Sequence, residues 1–144
     1  HFLTELQRVI GDTGSIMVWN KTFEGKQNER MGEIHPVFEE FCMNMNGRIY
    51  DLMDIFQGGY YADPRCKGSY SIKKVLPVLV PELSYKGMSI GDGATAMTSW
   101  KDMVYGDLDM EKRAEIRENL LRYCELDTFA MIRIYEVLKE IVGI

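Results

Sequence analysis

The sequence predicts an α/β protein that is rich in helix and has few strands. Residues 15–20, SIMVWN, are a short apolar run with the character of a buried strand, whereas residues 110–142 repeat apolar side chains at helical spacing. One or two strands are too few for a sheet, unless further strands precede His1. Because the chain begins at His1 rather than at Met, we expect it to be a piece of a longer protein.

The first half of the chain alternates helices with the candidate strands. GDTG is a turn that leads into the first strand, and the dipeptide His35-Pro36 separates two helices because a residue before proline avoids helical geometry. The predicted elements of this half are helices at 2–10, 24–33 and 36–46, and a strand that passes into a short helix at 48–56.

The second half reads as loop and then helix. Residues 57–69 are loop-like because they contain three Gly and one Pro. Asp109 is a good N-cap for the last region, which is either one bent helix or two consecutive helices. The predicted elements are a short helix that opens near Ser69 or Ser71 and ends around Pro77, a helix at 93–105, and the helical region 110–142.

Composition narrows the class of protein. The 144 residues suffice for one domain, which we place over 1–144, and no apolar run is long enough to cross a bilayer. The net charge of −5 argues against a basic surface that coats nucleic acid. Cys42, Cys66 and Cys124 lack Cys-x-x-Cys spacing, which favours a reducing, cytoplasmic location over a disulfide framework or a zinc cage.

Asp127 interrupts an apolar helix face. An unpaired buried carboxylate is costly, so it needs a partner, a proton or a metal. Tyr123 lies four residues earlier on the same face, and a carboxylate beside a phenol can bind a divalent metal while the phenol orients a water. The alternative is that Asp127 caps a new helical turn through Thr128 and Ala130. The apolar face comprises Ile116, Leu120, Tyr123, Met131, Ile134, Leu138 and Ile141.

A second candidate site follows the first strand, in VWNKTFE. The strand delivers Asn20, and Glu24 follows where a helix should begin, a place where α/β proteins often put working groups. The alternative interpretation makes Asn20 a helix cap and Glu24 a first-turn carboxylate facing the helix dipole.

A local basic patch surrounds Tyr70. Lys73 and Lys74, with Lys67, can guide a phosphate backbone while Tyr70 or Tyr60 stacks a base. Solvated lysines at a helix start are the alternative. For Asp51 and Asp54, two interpretations likewise remain: a contribution to a metal site, or a surface or capping role.

These stretches resemble a known family. Tyr-x-x-x-Asp in YCELD resembles the third motif of the DEDD 3′–5′ exonucleases, in the subgroup with tyrosine, and WNKTFE resembles their second motif with Glu24 in place of Asp. DLMDIF and GSYSIKKVLPVLVPELSY are similar to a largely uncharacterised bacterial branch of the ribonuclease-H-like superfamily. The resemblance runs from about Ser15 to Ile134.

The resemblance implies a truncated ribonuclease-H-like fold and a nuclease acting on DNA or RNA by a two-metal mechanism with Mg²⁺ or Mn²⁺. It implies that Asp127 and Glu24 are metal ligands, that Tyr123 orients the nucleophilic water, and that Asn20 braces the strand-to-helix junction. The carboxylates of Glu24 and Asp127 are then expected within about 10 Å of each other.

The family's first motif, Asp-x-Glu, has no counterpart here. Before Asn20 the only carboxylates are Glu5 and Asp12. We therefore expect the C-terminal part of such a domain, inactive by itself and active in the longer protein. A non-catalytic ribonuclease-H-like module that binds nucleic acid, and a helical interaction domain with an accidental likeness, remain as alternatives. A strand at 15–20 with an exposed edge is expected to pair with RIYDL or with a second copy of the chain.

Overall fold

The computed structural model describes all residues, His1–Ile144, and divides them into two compact units. The first unit is His1–Pro64 and the second is Arg65–Ile144. The chain is rich in helix and has one small sheet, in agreement with the α/β prediction at this coarse level. The expectation that one or two strands are too few for a sheet is wrong, because two strands form it. The ribonuclease-H-like fold and the single domain over 1–144 stay predictions.

The first unit is built around two parallel strands, β1 (Ile16–Val18) and β2 (Ile49–Asp51). Ile16 pairs with Ile49 and Val18 with Asp51, which confirms the predicted pairing with RIYDL. Because the two strands run in the same direction, their carboxyl ends meet at one edge of the sheet. Such a parallel pair needs a long crossover connection. The helices of this unit are α1 (Phe2–Ile10), α2 (Lys21–Ile34), α3 (Glu39–Gly47) and α4 (Met53–Gln57), of which α2 and α3 form the crossover.

The core of the first unit is carried by α3. Phe41, Cys42 and Met45 are buried there. Gly32 on α2 lets the backbones approach, because a Cβ at that position would lie 3.2 Å from the Cα of Glu39. The partly buried side chains that pack on this cluster are Leu6, Ile10, Ile16, Met31 and Phe38.

Local chemistry moved two of the predicted boundaries in this unit. The helix predicted at 24–33 starts earlier, at Lys21, because Asn20 caps it. The helix predicted at 36–46 opens as a 3-10 turn, Pro36–Phe38, before α3 begins. The predicted loop 57–69 also contains a 3-10 turn, Pro64–Cys66.

The second unit consists of α5 (Ile72–Leu79), α6 (Gly93–Tyr105) and α7 (Met110–Val142), with α7 packed against both other helices. Arg113 closes the turn between α6 and α7, since its guanidinium donates to the backbone carbonyls of Met103, Gly106 and Leu108. The predicted stop at Pro77 is wrong: the amide of Val80 still donates to the carbonyl of Leu76 at 2.7 Å.

The helix α7 is continuous, so the alternative of two consecutive helices is wrong. Asp109 caps it by accepting from the amide of Lys112 at 2.7 Å, and Gly143, at φ 76°, ends it. Ile134 and Leu138 of the predicted apolar face are buried, whereas Ile141 is 54% exposed. None of the helices combines the length and the apolar character needed to span a membrane.

Candidate functional site

The strand-to-helix junction of the first unit is organised by Asp51. Its buried carboxylate accepts from the amides of Asn20 at 3.0 Å, Lys21 at 2.6 Å and Met53 at 3.0 Å. Asn20 sits at φ 81°, and its side chain accepts from the amide of Phe23 at 3.2 Å. Both side chains therefore cap the start of α2 or α4, which is the structural alternative weighed for each of them.

Glu24 lies in the first turn of α2, half-buried, one turn after Asn20. This place agrees with a first-turn carboxylate facing the helix dipole. Asn20 and Glu24 belong to the first unit, whereas Tyr123 and Asp127 belong to the second. The expected approach of Glu24 to Asp127 stays a prediction.

The hydrogen-bond partner of Asp127 lies in the second unit. The hydroxyl of Tyr85 donates to Oδ1 of Asp127 at 2.6 Å, across 42 positions of sequence. Tyr123 lies one helical turn before Asp127 on α7, so the two side chains share a helix face. The rings of Tyr85 and Tyr123 lie 6.1 Å apart at 53°. We call Tyr85, Tyr123 and Asp127 the tyrosine–aspartate cluster.

Asp127 is not a helix cap. Because α7 continues from Met110 to Val142, no new helix begins at this residue. The hydroxyl of the next residue, Thr128, donates to the carbonyl of Cys124 at 3.0 Å, as side chains inside a helix commonly do. The capping interpretation is therefore wrong.

Both phenols of the cluster hold their protons strongly. Burial raises the pKa of Tyr85 well above its usual value, and the hydrogen bond and charge of Asp127 raise it further. The pKa of Tyr123 is raised for the same reasons, with burial first and the charge of Asp127 second. A phenol that keeps its proton can donate to a carboxylate or orient a water, but it cannot act as a general base near neutral pH.

Lys73 is the cation next to the cluster. Its Nζ lies 6.0 Å from the centre of the Tyr85 ring, which is at the limit of a cation–π contact. Hydrogen bonds from Thr95 lower the pKa of Asp92, the cap of α6, and the charge of Lys73 lowers it further. Lys73 therefore lies near both the cluster and the start of α6.

The other predicted substrate residues are placed less centrally. Lys74 is exposed on α5, and Tyr70 is 44% exposed just before that helix. Their predicted contacts with a nucleic-acid backbone and base stay predictions.

The donor atoms in the chain suit Mg²⁺ or Mn²⁺ in kind, because carboxylate oxygens are the ligands that these ions prefer. In number they do not suffice, because no group of three or more His, Cys, Asp or Glu side chains is arranged to hold a metal ion. The described residues thus offer Asp127 as a candidate ligand but do not complete a metal centre.

Sequence analysis missed Tyr85 as a site residue. Its partner is far away in the chain, so no helical or strand spacing relates the two. The only signal was its position at the end of GSYSIKKVLPVLVPELSY, the block similar to the ribonuclease-H-like branch.

Comparison with known proteins identifies relatives without a known activity. The family model of a domain of unknown function, DUF2779, matches residues 1–71. The chain is 30% identical to an uncharacterized protein of Ureaplasma parvum, and 28% and 25% identical to uncharacterized proteins of Mycoplasma pneumoniae and Mycoplasma genitalium. These alignments cover 89%, 91% and 89% of the chain but 21% of each relative, so the chain spans about a fifth of their length. No solved structure matches the chain.

Proposed function

We propose that this chain is part of a metal-dependent nuclease domain that hydrolyses phosphodiester bonds in nucleic acid. The observation that carries the proposal is the tyrosine–aspartate cluster. The sequence resemblance to the DEDD exonucleases singles out Tyr123 and Asp127. They lie one turn apart on α7, where Tyr85 donates to Asp127 at 2.6 Å and its ring lies 6.1 Å from that of Tyr123.

Asp127 has acceptor capacity left for a ligand. A carboxylate offers about four lone-pair sites, and the Tyr85 hydroxyl engages one of them. In the proposed site Asp127 supplies a carboxylate oxygen to a divalent ion, and the resemblance separately implies that Glu24 is a metal ligand. The remaining ligands would come from outside these residues. When bound, such an ion would lower the pKa of a coordinated water and would neutralise charge on the transferring phosphoryl group.

The other residues act without the ion. The Tyr123 hydroxyl, which keeps its proton, holds the attacking water by hydrogen bonding, and Asn20 fixes the start of the helix that carries Glu24. Lys73 and Lys74 attract the phosphate backbone, and Tyr70 stacks on a base. The resemblance implies digestion from the 3′ end. The cysteine pattern favours a cytoplasmic location, and a homodimer forms if the exposed strand edge pairs with a second copy.

The test uses the longer protein, a 5′-labelled single-stranded oligonucleotide, and Mg²⁺ or Mn²⁺. We expect the wild type to shorten the oligonucleotide from its 3′ end. Asp127→Asn should slow hydrolysis by at least about 100-fold, because even the loss of a residue that hydrogen-bonds a metal ligand costs about 10- to 100-fold. Glu125→Gln is the matched control, because Glu125 is exposed on the same helix and should leave the rate unchanged. Wild-type turnover by Asp127→Asn would exclude Asp127 as a ligand.

A non-catalytic ribonuclease-H-like module that binds nucleic acid is the second candidate. The shortage of metal ligands among the described residues favours it. If the wild type binds the oligonucleotide in fluorescence anisotropy but does not cleave it with either ion, this candidate replaces the nuclease.

A further inference from the structure

The helix α7 carries a second apolar stripe on the side away from its packed face. Ile134 and Leu138 are buried against the rest of the unit, whereas Leu121, Ile132 and Tyr135 are 53%, 45% and 39% exposed. A contiguous exposed apolar stripe commonly marks an interaction surface. The outer stripe, as we call it, consists of five exposed residues, Leu121, Cys124, Thr128, Ile132 and Tyr135.

The outer stripe has the same spacing in both directions from Thr128. The intervals between its residues are 3, 4, 4 and 3 positions. A second copy of α7 that runs antiparallel therefore places Leu121 opposite Tyr135 and Cys124 opposite Ile132. Each of these contacts then occurs twice about a twofold axis through Thr128, as an isologous interface requires.

Thr128 can lie at the centre of such an interface without leaving a polar group unpaired. Its hydroxyl already donates to the carbonyl of Cys124 at 3.0 Å within the helix. Burial of this side chain against a partner therefore breaks no hydrogen bond and leaves no donor unsatisfied. The helix dipoles also favour an antiparallel pair, because each end of one helix meets the opposite end of the other.

The charges beside the outer stripe suit the same arrangement. Arg122 pairs with Glu118 at 2.6 Å within the helix, and Arg133 pairs with Glu136. In the antiparallel register Arg122 of one copy comes within two positions of Glu136 of the other, and the symmetry repeats this contact. A flank that offers both signs of charge at matched positions favours a second copy over a partner of one sign, such as nucleic acid.

We propose that two copies of this chain associate through the outer stripes of α7, packed antiparallel about Thr128. The register brings Arg117 opposite Lys139 at each end of the stripe, where both long side chains extend into water. The uncharged stripe between these ends forms the buried part of the interface.

The first experiment measures the mass of the 144-residue chain in solution by sedimentation equilibrium. We expect the wild type to dimerise and Ile132→Glu to raise the dissociation constant at least about 100-fold, tenfold for each of the two carboxylates that symmetry places in the interface. Met97→Glu is the matched control, because Met97 is 68% exposed on α6, and it should dimerise as the wild type does. A monomeric wild type, or a dimer that Ile132→Glu leaves intact, would overturn the proposal and leave the stripe to another partner or the dimer to another surface.

Cysteine cross-linking tests the register without a charged substitution. The other two cysteines, Cys42 and Cys66, are buried. A residue on the twofold axis meets its own mate, so Thr128→Cys in a Cys124→Ser background should form a disulfide-linked dimer in air with a copper catalyst. Cys124 and its mate are offset by about 12 Å along the helix, beyond the reach of a disulfide, so the wild type should not cross-link.

Glu140→Cys in the Cys124→Ser background is the control for cross-linking. Glu140 is exposed on the same helix, and its mate in this register lies about 36 Å away along the helix. Cross-linking of the wild type through Cys124 would indicate a parallel pair. A dimeric Thr128→Cys chain that does not cross-link would indicate a different register, and either result contradicts the proposed interface.

Discussion

The Asp51 carboxylate offers the sharpest test of how the first unit is held together. It is 6% exposed and accepts three backbone amides from two elements, those of Asn20 and Lys21 at the start of α2 and that of Met53 at the start of α4. These amides are among the unsatisfied donors that every helix start presents. We therefore expect Asp51 to contribute more to stability than a surface carboxylate.

The magnitude follows from the geometry. In the wild type, Oδ1 of Asp51 accepts from Asn20 and Met53, and Oδ2 accepts from the N–H of Lys21 at 2.6 Å. Asp51→Asn keeps Oδ1 but replaces Oδ2 with an amide group, which cannot accept from Lys21. Loss of one charged hydrogen bond costs about 1.5–3 kcal/mol, and loss of the charge at the helix start adds up to about 1 kcal/mol. We expect about 2–3 kcal/mol for Asn and about 4–5 kcal/mol for Ala, which leaves all three amides unpaired.

The assay is urea unfolding of this chain followed by tryptophan fluorescence. The two tryptophans, Trp19 and Trp100, lie in different units, so a Trp100→Phe background reports the first unit alone. With a slope of about 1 kcal/mol per molar urea for a small domain, Asp51→Asn should lower the midpoint by about 2–3 M.

Asp54→Asn is the control for this experiment, because Asp54 is exposed and only three residues away. It should change the free energy of unfolding by less than about 0.5 kcal/mol. If Asp51→Asn unfolds at the same urea concentration as Asp54→Asn, the three amide bonds do not stabilise the unit and the reasoning is refuted.

Two further predictions concern glycine packing and alkaline pH. On α2, Gly25→Ala should stabilise the unit by about 0.5–1 kcal/mol, because its Cβ would meet only Asn46 at 3.7 Å. Gly32→Ala should destabilise it by about 1–2 kcal/mol through the 3.2 Å contact with Glu39, and equal shifts in urea midpoint would contradict this. The raised pKa values of Tyr85 and Tyr123 mean that the unfolded chain loses these protons first, so their stabilisation is complete below about pH 10 and declines above it, by about 1.4 kcal/mol per pH unit for each phenol. Absorbance at high pH should show two of the eight tyrosines ionising only on unfolding, and Tyr85→Phe should leave one.

Local rules predicted most of the elements. Asp109 was predicted as a helix start because a cap needs only its own neighbours, which the sequence shows. Capping by Asn20 was only an alternative, so the start of α2 was predicted too late. Pro77 led to a wrong prediction for the end of α5, because a proline normally ends a helix. Burial of Val75, Leu76 and Val80 around it offsets the one missing hydrogen bond. Tertiary packing decided that boundary, and no local rule contains it.

The residues of the site likewise divide into those related by local spacing and those brought together by tertiary packing. Spacing placed Tyr123 and Asp127 side by side because both lie on one helix. The donor that fixes Asp127, Tyr85, belongs to a segment without regular structure, so only the folded chain brings the two together. Asp51 was likewise identified as a carboxylate with a capping alternative. Its contact with Met53 is local, but its contacts with Asn20 and Lys21 depend on the register of β1 and β2.

Different kinds of hydrogen-bond donor satisfy the two inward carboxylates, Asp51 and Asp127. This difference separates a residue that supports the structure from one that is open to chemistry. Backbone amides surround Asp51, and they cannot leave without unwinding the starts of two helices. The hydroxyl of one side chain, Tyr85, holds Asp127, which leaves most of its roughly four lone-pair sites for another ligand. A cation or a substrate can therefore be added at Asp127 without breaking secondary structure, whereas at Asp51 it would have to displace the backbone. For this reason we expect substitution of Asp51 to act on stability, and substitution of Asp127 to act on binding and turnover.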